Sequence, residues 1–227
     1  IVAAIGHGRA IFANIRKFVV YLLSCNISEV LVVSIATIAG APLPLLPLQI
    51  LFLNLVTDVF PALALGVGPG RTSLMKVKPR SPSERILMRR HWMEIGLYGI
   101  VMALVVLSAM AISVRYLDFE RQQAVTVAFC TLALAQLWHV FNMRSDLARL
   151  VNNEITRNVW IWLALVLCLI LILAAVYTPA LYTVMQLRDP GYSGWLVIIS
   201  GSLVPLVAAP VVKRIARGSF LEHGQKY

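Results

Sequence analysis

Residues 19–65 read VVYLLSCNISEVLVVSIATIAGAPLPLLPLQILFLNLVTDVFPALAL, two long apolar runs separated by a short turn that contains three prolines. Each run is about as long as the 20 residues that an α-helix needs to cross a hydrocarbon core of roughly 30 Å. Gly40 and the prolines of residues 39–47 end the first helix and keep the connection short. The stretch therefore predicts two antiparallel membrane-spanning helices that lie side by side.

The rest of the chain has the same apolar character. Of its 227 residues, 59% are hydrophobic and 13% are charged, which excludes an ordinary soluble domain. No stretch of alternating β type occurs, so a membrane barrel is not expected. We predict an all-α, polytopic membrane protein built as a six-helix transmembrane bundle. Its spans are residues 17–39, 44–66, 92–114, 124–142, 159–178 and 194–212.

The basic residues are distributed unevenly along the chain. There are 20 Lys and Arg, and 17 of them lie in residues 1–17, after the last span, or between spans two and three or four and five. The positive-inside rule then predicts that these segments and both termini are cytoplasmic. The basic charge thus sets the topology, with anionic-lipid binding by residues 71–90 as a weaker alternative. Membrane lipid is the expected partner, and no nucleic acid is expected.

Two of the ten acidic residues, Glu29 and Asp58, lie deep inside predicted spans. A charged side chain there costs at least about 2.5 to 3.5 kcal/mol, so such residues normally face a cavity or a partner. Asn26 shares a helix face with Glu29, and Asn54 and Thr57 share one with Asp58, because these residues are spaced three or four apart. All of these groups offer oxygen, which favours a hard cation such as Ca²⁺, Mg²⁺, Mn²⁺ or Na⁺ over zinc or copper.

Three other residues in the spans bear on this site. Pro61 removes a backbone hydrogen bond, which predicts an unwound segment from Thr57 to Pro61 with free carbonyl oxygens. Gln136, in the fourth span, is a further candidate ligand, and His139 is predicted to be an interface residue. The alternative for the amides is hydrogen bonding between helices without a cation.

Residues 8–30, GRAIFANIRKFVVYLLSCNISEV, and residues 42–69, PLPLLPLQILFLNLVTDVFPALALGVGP, resemble the carboxy-terminal membrane region of P-type cation-transporting ATPases of the calcium-pump branch. The resemblance implies that the six spans are the fifth to tenth helices of such a pump. It also implies cation ligands on the fifth helix and on the sixth. By position these ligands are Asn26, Glu29, Asn54, Thr57 and Asp58.

Gln136 stands where reticulum-type calcium pumps carry a Glu, so one negative charge is missing, and one-ion and two-ion sites both stay open. Sodium pumps have an amide there but resemble this chain less at Asn54. Plasma-membrane-type calcium pumps lack the acid at position 29. The transported cation is expected to be Ca²⁺, with Mn²⁺ and Na⁺ as alternatives.

The resemblance also predicts how the chain is organised. Its parts are residues 1–16, a cytoplasmic stalk end of the first helix; 17–66, the ion-binding helical pair; 67–91, a basic cytoplasmic loop; 92–212, a four-helix supporting bundle; and 213–227, a cytoplasmic tail. The chain has no initiator Met, signal-peptide pattern or DKTG or TGE motif. We therefore expect a fragment that is inactive alone, with the remaining domains of the same pump as partners and ATP and Mg²⁺ acting only there.

The leading hypothesis is thus the transmembrane ion pathway of an ATP-driven cation pump in a bacterial plasma membrane. A self-contained six-span cation channel or secondary carrier is the alternative, although carriers often show broken helices in both halves, whereas the deep acids here lie only in the first two spans. A membrane anchor or scaffold without transport is a third interpretation. It predicts that alanine at Glu29 and Asp58 leaves function intact.

Overall fold

The first helix is long and unbroken. In a computed structural model that describes residues 2–68, 85–144 and 153–224, α1 runs from Val2 to Ile38. At 1.5 Å per residue its 37 residues extend about 55 Å, well beyond the thickness of a hydrocarbon core. The segment before the first predicted span and the span itself therefore form one continuous helix.

The second span is helical throughout but not regular. After a turn in which Gly40 adopts a φ of +63°, α2 covers Pro47–Leu53, with the proline in the first helical turn where its missing N–H is tolerated. A five-residue π-helical turn follows at Asn54–Asp58, and α3 covers Val59–Gly66. The distortion begins N-terminal to the predicted segment and overlaps it at Thr57 and Asp58. The chain from Thr57 to Pro61 stays helical, so the predicted unwinding is wrong.

The remaining spans agree with the prediction to within a few residues at most ends. They are α4 (Arg89–Tyr116), α5 (Arg121–His139) with a 3-10 turn at Val140–Met143, α6 (Val159–Tyr177), and α8 (Gly191–Val207) continued by α9 (Ala209–Gly224). The short helix α7 (Pro179–Val184) lies within the last predicted external loop. By length and composition six helical stretches could cross a membrane, and the described residues contain no strand, so the predicted fold class is confirmed.

Helix α5 lies at the centre of the bundle. Of its most apolar stretch, 89% is buried inside the protein, whereas half or less of each other span is buried and the rest is free to face lipid. Close packing around it depends on small residues: a Cβ on Gly99 in α4 would lie 2.6 Å from Ile27 Cγ2 of α1, and one on Gly201 in α8 would lie 3.3 Å from Thr131 Cγ2 of α5. Polar side chains of α5 therefore meet other helices and not lipid.

One end of α1 is tied to the connections between other helices. Asn14 donates to the Gly68 carbonyl at 2.7 Å, Arg16 donates to the Ile86 carbonyl at 2.8 Å, and Lys17 forms an ion pair of 3.1 Å with Glu154. Most of the predicted basic loop (residues 69–84), residues 145–152 and the last three residues of the predicted tail lie outside the described residues. The basic end of α1 is thus joined to the chain that follows α3 and to the chain that precedes α4 and α6.

Candidate cation site

The π-helical turn places three polar side chains of the second span on its buried side. Thr57 and Asp58 are buried, at 0% and 2% exposure, and Asn54 is half-buried. A π turn widens the helix by one residue and is often found at functional sites. Here it directs Asn54, Thr57 and Asp58 towards α1 and α5.

Pro61 explains why the distortion occurs here. Having no N–H, it cannot donate to the carbonyl of Thr57, as in an α-helix, or to that of Val56, as in a π-helix. Both carbonyls have other partners: the Tyr21 hydroxyl donates to Thr57 O at 2.8 Å, and the Cys168 thiol donates to Val56 O at 3.1 Å. The oxygens expected to be free are therefore held by side chains of α1 and α6.

Glu29 is the point at which three helices meet. It is 4% exposed on α1, its Oε2 accepts from Asn54 Nδ2 at 3.1 Å, and its Oε1 accepts from Gln136 Nε2 of α5 at 3.0 Å. The other end of the Gln136 amide lies 2.7 Å from the Thr57 hydroxyl, which donates to it. One glutamine thus connects the carboxylate of the first span to the π turn of the second.

The carboxylate of Asp58 has fewer hydrogen-bond partners than that of Glu29. Its Oδ2 accepts a long hydrogen bond of 3.5 Å from Asn26 Nδ2, which also donates to the Leu22 carbonyl of its own helix at 2.8 Å. Its Oδ1 is buried and has no hydrogen-bond partner. A buried polar oxygen without a partner is costly, and this one is suited to a cation or a proton.

All six residues predicted from the sequence therefore lie in one region of the bundle. Glu29, Asn54, Thr57 and Gln136 form one hydrogen-bonded cluster, and Asp58 and Asn26 lie directly beside it. Asn26 is exposed and Asn54 is half-buried, so the site opens on that side. Among the described residues no group of three or more His, Cys, Asp or Glu side chains could hold a metal, so any cation here must be held mainly by amide and hydroxyl oxygens together with the two carboxylates.

Tyr21 was not identified as part of the site from the sequence. Its hydroxyl lies 2.8 Å from Thr57 O and 3.2 Å from Gln136 O, and its ring stacks on His139 with centroids 5.8 Å apart. The available signal was a single phenol in the middle of an apolar helix, which must find a hydrogen-bond partner when buried. His139 also packs edge-on against Tyr98, with centroids 4.4 Å apart, so its ring is buried between α1 and α4.

The other buried polar groups bind the helices to one another. Asn158 caps α6, where its side chain accepts from Trp160 N at 3.0 Å, and its amide donates to the Ala64 carbonyl of α3 at 2.8 Å. The cysteines Cys25, Cys130 and Cys168 are all buried and unbridged, and Cys168 also donates to the π turn. The α6 helix is therefore joined to the second span at two points.

Comparison with known proteins identifies the family. The family model described as "Cation transporting ATPase, C-terminus" matches residues 42–215. A calcium-transporting ATPase of Bacillus subtilis (strain 168) is 36% identical over 214 residues, which cover 93% of this chain and 24% of that protein. Calcium-transporting ATPase 1 of Bacillus cereus (strain ATCC 10987 / NRS 248) is 30% identical over 228 residues, 94% of this chain and 26% of that protein.

The match extends to a plant protein. The endoplasmic reticulum-type calcium-transporting ATPase 3 of Arabidopsis thaliana is 25% identical over 246 residues, which cover 96% of this chain and 25% of that protein. The chain spans about a quarter of the length of the curated relatives it matches. Because the family model covers well over half of the chain, and because six apolar helices form the bundle, this integral membrane protein belongs to the cation-transporting ATPases and corresponds to their carboxy-terminal membrane region.

Proposed function

We propose that the bundle forms the transmembrane ion pathway of an ATP-driven pump that carries Ca²⁺. The observation that carries the proposal is the pair of buried carboxylates, Glu29 and Asp58. Within the described part of the chain, no Lys, Arg or His forms an ion pair with either of them. Buried charge of this kind needs a counter-ion, and a bound cation or a proton can supply it.

The neighbouring side chains suit a cation that comes and goes. Asn54 and Gln136 now donate N–H groups to Glu29. An amide carries a donor and an acceptor on the same carbon, so rotation presents its oxygen in place of its nitrogen. The same side chains can therefore stabilise the carboxylate when no cation is bound and ligate the cation when it is, with Asn26, Thr57 and Asp58 completing the set.

Ca²⁺ is proposed as the transported ion because of the ligand chemistry and the relatives. Carboxylate, amide and hydroxyl oxygens are the ligands that Ca²⁺ prefers. The relatives are named calcium-transporting ATPases. Mn²⁺ and Na⁺ accept the same oxygen donors and are the competing cations that an experiment must compare.

The remainder of the mechanism lies outside these residues. We infer that ATP and Mg²⁺ act in other domains of the same pump, and that their effect reaches the site through α1. In support, the basic end of α1 is bonded to the connections that follow α3 and precede α4 and α6. The 17 basic residues of the alternate segments favour a topology with both termini in the cytoplasm, and the two bacterial relatives favour a bacterial plasma membrane.

The test is cation-stimulated ATP hydrolysis by the purified full-length protein, with Ca²⁺, Mn²⁺ and Na⁺ compared at equal ionic strength. We expect Ca²⁺ to stimulate at the lowest concentration and Asp58→Asn to lose the stimulation. Ser28→Ala is the matched control, because Ser28 is next to Glu29 and its hydroxyl donates only to the Cys25 carbonyl of its own helix, at 2.6 Å. Full Ca²⁺ stimulation in Asp58→Asn would refute the assignment.

A further inference from the structure

A cavity separate from the cation site lies at the end of the bundle where α5 and α8 begin and α6 ends. Its volume is about 560 Å³. None of its lining residues belongs to the cation site. The buried Gln49, at the start of α2, donates to the Met185 carbonyl at 2.9 Å, so the cavity is at the same membrane boundary as the turn between the first two spans. Its polar lining comes from Gln122, Tyr177, Tyr182, Thr183, Arg188 and Asp189.

The walls of this cavity are held in place by hydrogen bonds. The backbone N–H of Arg188 donates to the Thr126 hydroxyl of α5 at 2.9 Å. Trp195 Nε1 donates to the Tyr177 hydroxyl at 2.8 Å, and that hydroxyl donates to Asp189 Oδ1 at 3.4 Å. The connection that carries Arg188 and Asp189 is therefore held by side chains of α5 and α6, and Trp195 of α8 supports Tyr177.

The position of the cavity at the ends of α5 and α6 places it at the expected depth of the lipid headgroups. Helix α7 forms one side, and none of its six residues, PALYTV, is buried. Large side chains close in sequence to the lining residues are exposed, with Val184 at 65% and Tyr192 at 82%. Tyr177 and Trp195 lie at span ends, where aromatic residues mark the interface between hydrocarbon and water. A short, mainly apolar helix whose residues are all exposed fits this interface.

The charges in the cavity are balanced. Arg188 supplies one positive charge and Asp189 one negative charge, beside the phenols of Tyr177 and Tyr182. Arg188 is paired with Glu120, whose side chain is 68% exposed. An exposed pair of this kind is weak, so a phosphate, which matches guanidinium geometry well, can replace the carboxylate. A carboxylate beside aromatic rings suits an ammonium group.

We propose that this cavity binds the headgroup of a zwitterionic phospholipid with a primary ammonium, phosphatidylethanolamine. Its phosphate pairs with Arg188 and its ammonium donates hydrogen bonds to Asp189 beside Tyr177 and Tyr182. The acyl chains then lie along α6, whose lipid-facing side chains include Ile170, 57% exposed. A lipid with only negative charge meets Asp189 and Glu120 unfavourably, and a quaternary ammonium cannot donate a hydrogen bond to the carboxylate. With the proposed topology the site faces the outer leaflet.

The test is native mass spectrometry of the purified full-length protein with equal concentrations of phosphatidylethanolamine, phosphatidylcholine and phosphatidylglycerol. We expect phosphatidylethanolamine to bind at least about fivefold more tightly than either of the others, the ratio that one partly exposed charged contact supplies. Arg188→Ala should weaken the binding of phosphatidylethanolamine. Asp189→Asn should remove its advantage over phosphatidylglycerol.

Two matched controls lie at the same membrane boundary outside the cavity. Asp118→Asn and Arg115→Ala change exposed charges at the end of α4 and should leave the lipid preference unchanged. Equal binding of the three lipids by the unmodified protein, or an unchanged preference in Asp189→Asn, would overturn the proposal. Displacement of the lipid by soluble glycerophosphoethanolamine at the same concentration would also overturn it, since the ligand would then be a soluble solute. The cavity and the cation site share no residue, so we expect Asp58→Asn to lose Ca²⁺ binding and to keep the lipid preference.

Discussion

Replacing Gln136 with Glu changes the charge of the site while keeping its shape. In the present structure the Gln136 amide donates to Glu29 Oε1 at 3.0 Å and accepts from the Thr57 hydroxyl at 2.7 Å. In the Gln136→Glu protein the first of these contacts becomes an approach of two carboxyl oxygens. Two unit negative charges 3.0 Å apart repel by about 5.5 kcal/mol at an effective dielectric constant of about 20, so both cannot be ionised without a cation or proton between them.

The consequence is a steeper pH dependence of Ca²⁺ binding. A carboxyl group must lose its proton before it ligates a metal, so one additional proton is released for each Ca²⁺ bound. We expect the Ca²⁺ affinity of Gln136→Glu to rise with pH by about an additional tenfold per pH unit compared with the unmodified protein, as one proton per ion requires. Equilibrium Ca²⁺ binding to the purified full-length protein at pH 6, 7 and 8 measures this slope.

The control makes the same chemical change elsewhere on α5. Gln123 lies in the first turn of α5, far along that helix from Gln136, and its amide donates to the Asp189 carbonyl at 3.3 Å. The control variant is Gln123→Glu. It should leave the slope unchanged. If Gln136→Glu and the unmodified protein show the same slope and the same affinity, Gln136 does not contact the bound cation, and the placement of α5 in the site is wrong.

Two further predictions concern the packing around the site. Thr57→Val removes the hydroxyl that donates to Gln136 and leaves the Gln136 amide oxygen unpaired, so the Ca²⁺ affinity should fall about tenfold. Thr57→Ser keeps the hydroxyl and should keep the affinity. Equal Ca²⁺ binding by the two variants would contradict the contact. Gly99→Ala places a Cβ 2.6 Å from Ile27 Cγ2 and should lower the melting temperature through an overpacking cost of about 1 to 3 kcal/mol. Gly96→Ala is the control and should not lower the melting temperature, because no atom lies within 4 Å of the added Cβ. Because alanine favours a helix more than glycine does, an equally low melting temperature in both variants would contradict the assignment of the loss to the contact with Ile27.

The sequence was sufficient for the spans and for the composition of the site. Runs of apolar residues predicted six helices, because a segment that crosses the hydrocarbon core must be apolar over about 20 residues and must satisfy its backbone hydrogen bonds as a helix. Helical spacing placed Asn54, Thr57 and Asp58 on one face, and the proline turn placed that face beside Glu29. These inferences rest on short-range geometry, which the sequence encodes directly.

The contacts between distant helices could not be predicted in the same way. Gln136 and Glu29 are 107 residues apart, and only packing around α5 brings them to 3.0 Å. A distortion near Pro61 was predicted, but its form, a π turn and not an unwound segment, was not. The sequence indicated lost hydrogen bonds, whereas the π turn depends on donors from Tyr21 and Cys168 that occupy the freed carbonyls. Side-chain donors from other helices that bond these backbone carbonyls leave no pattern in the sequence around Pro61.

Equilibrium binding of Ca²⁺ to the purified full-length protein tests the central proposal most directly. We expect Glu29→Gln and Asp58→Asn each to lower the affinity at least about a hundredfold, since removing one partner of a buried charged pair costs about 3 to 5 kcal/mol. We expect Asp118→Asn, which removes an exposed carboxylate at the end of α4, to bind Ca²⁺ as the unmodified protein does. Unmodified Ca²⁺ affinity in Asp58→Asn would contradict the proposed cation site.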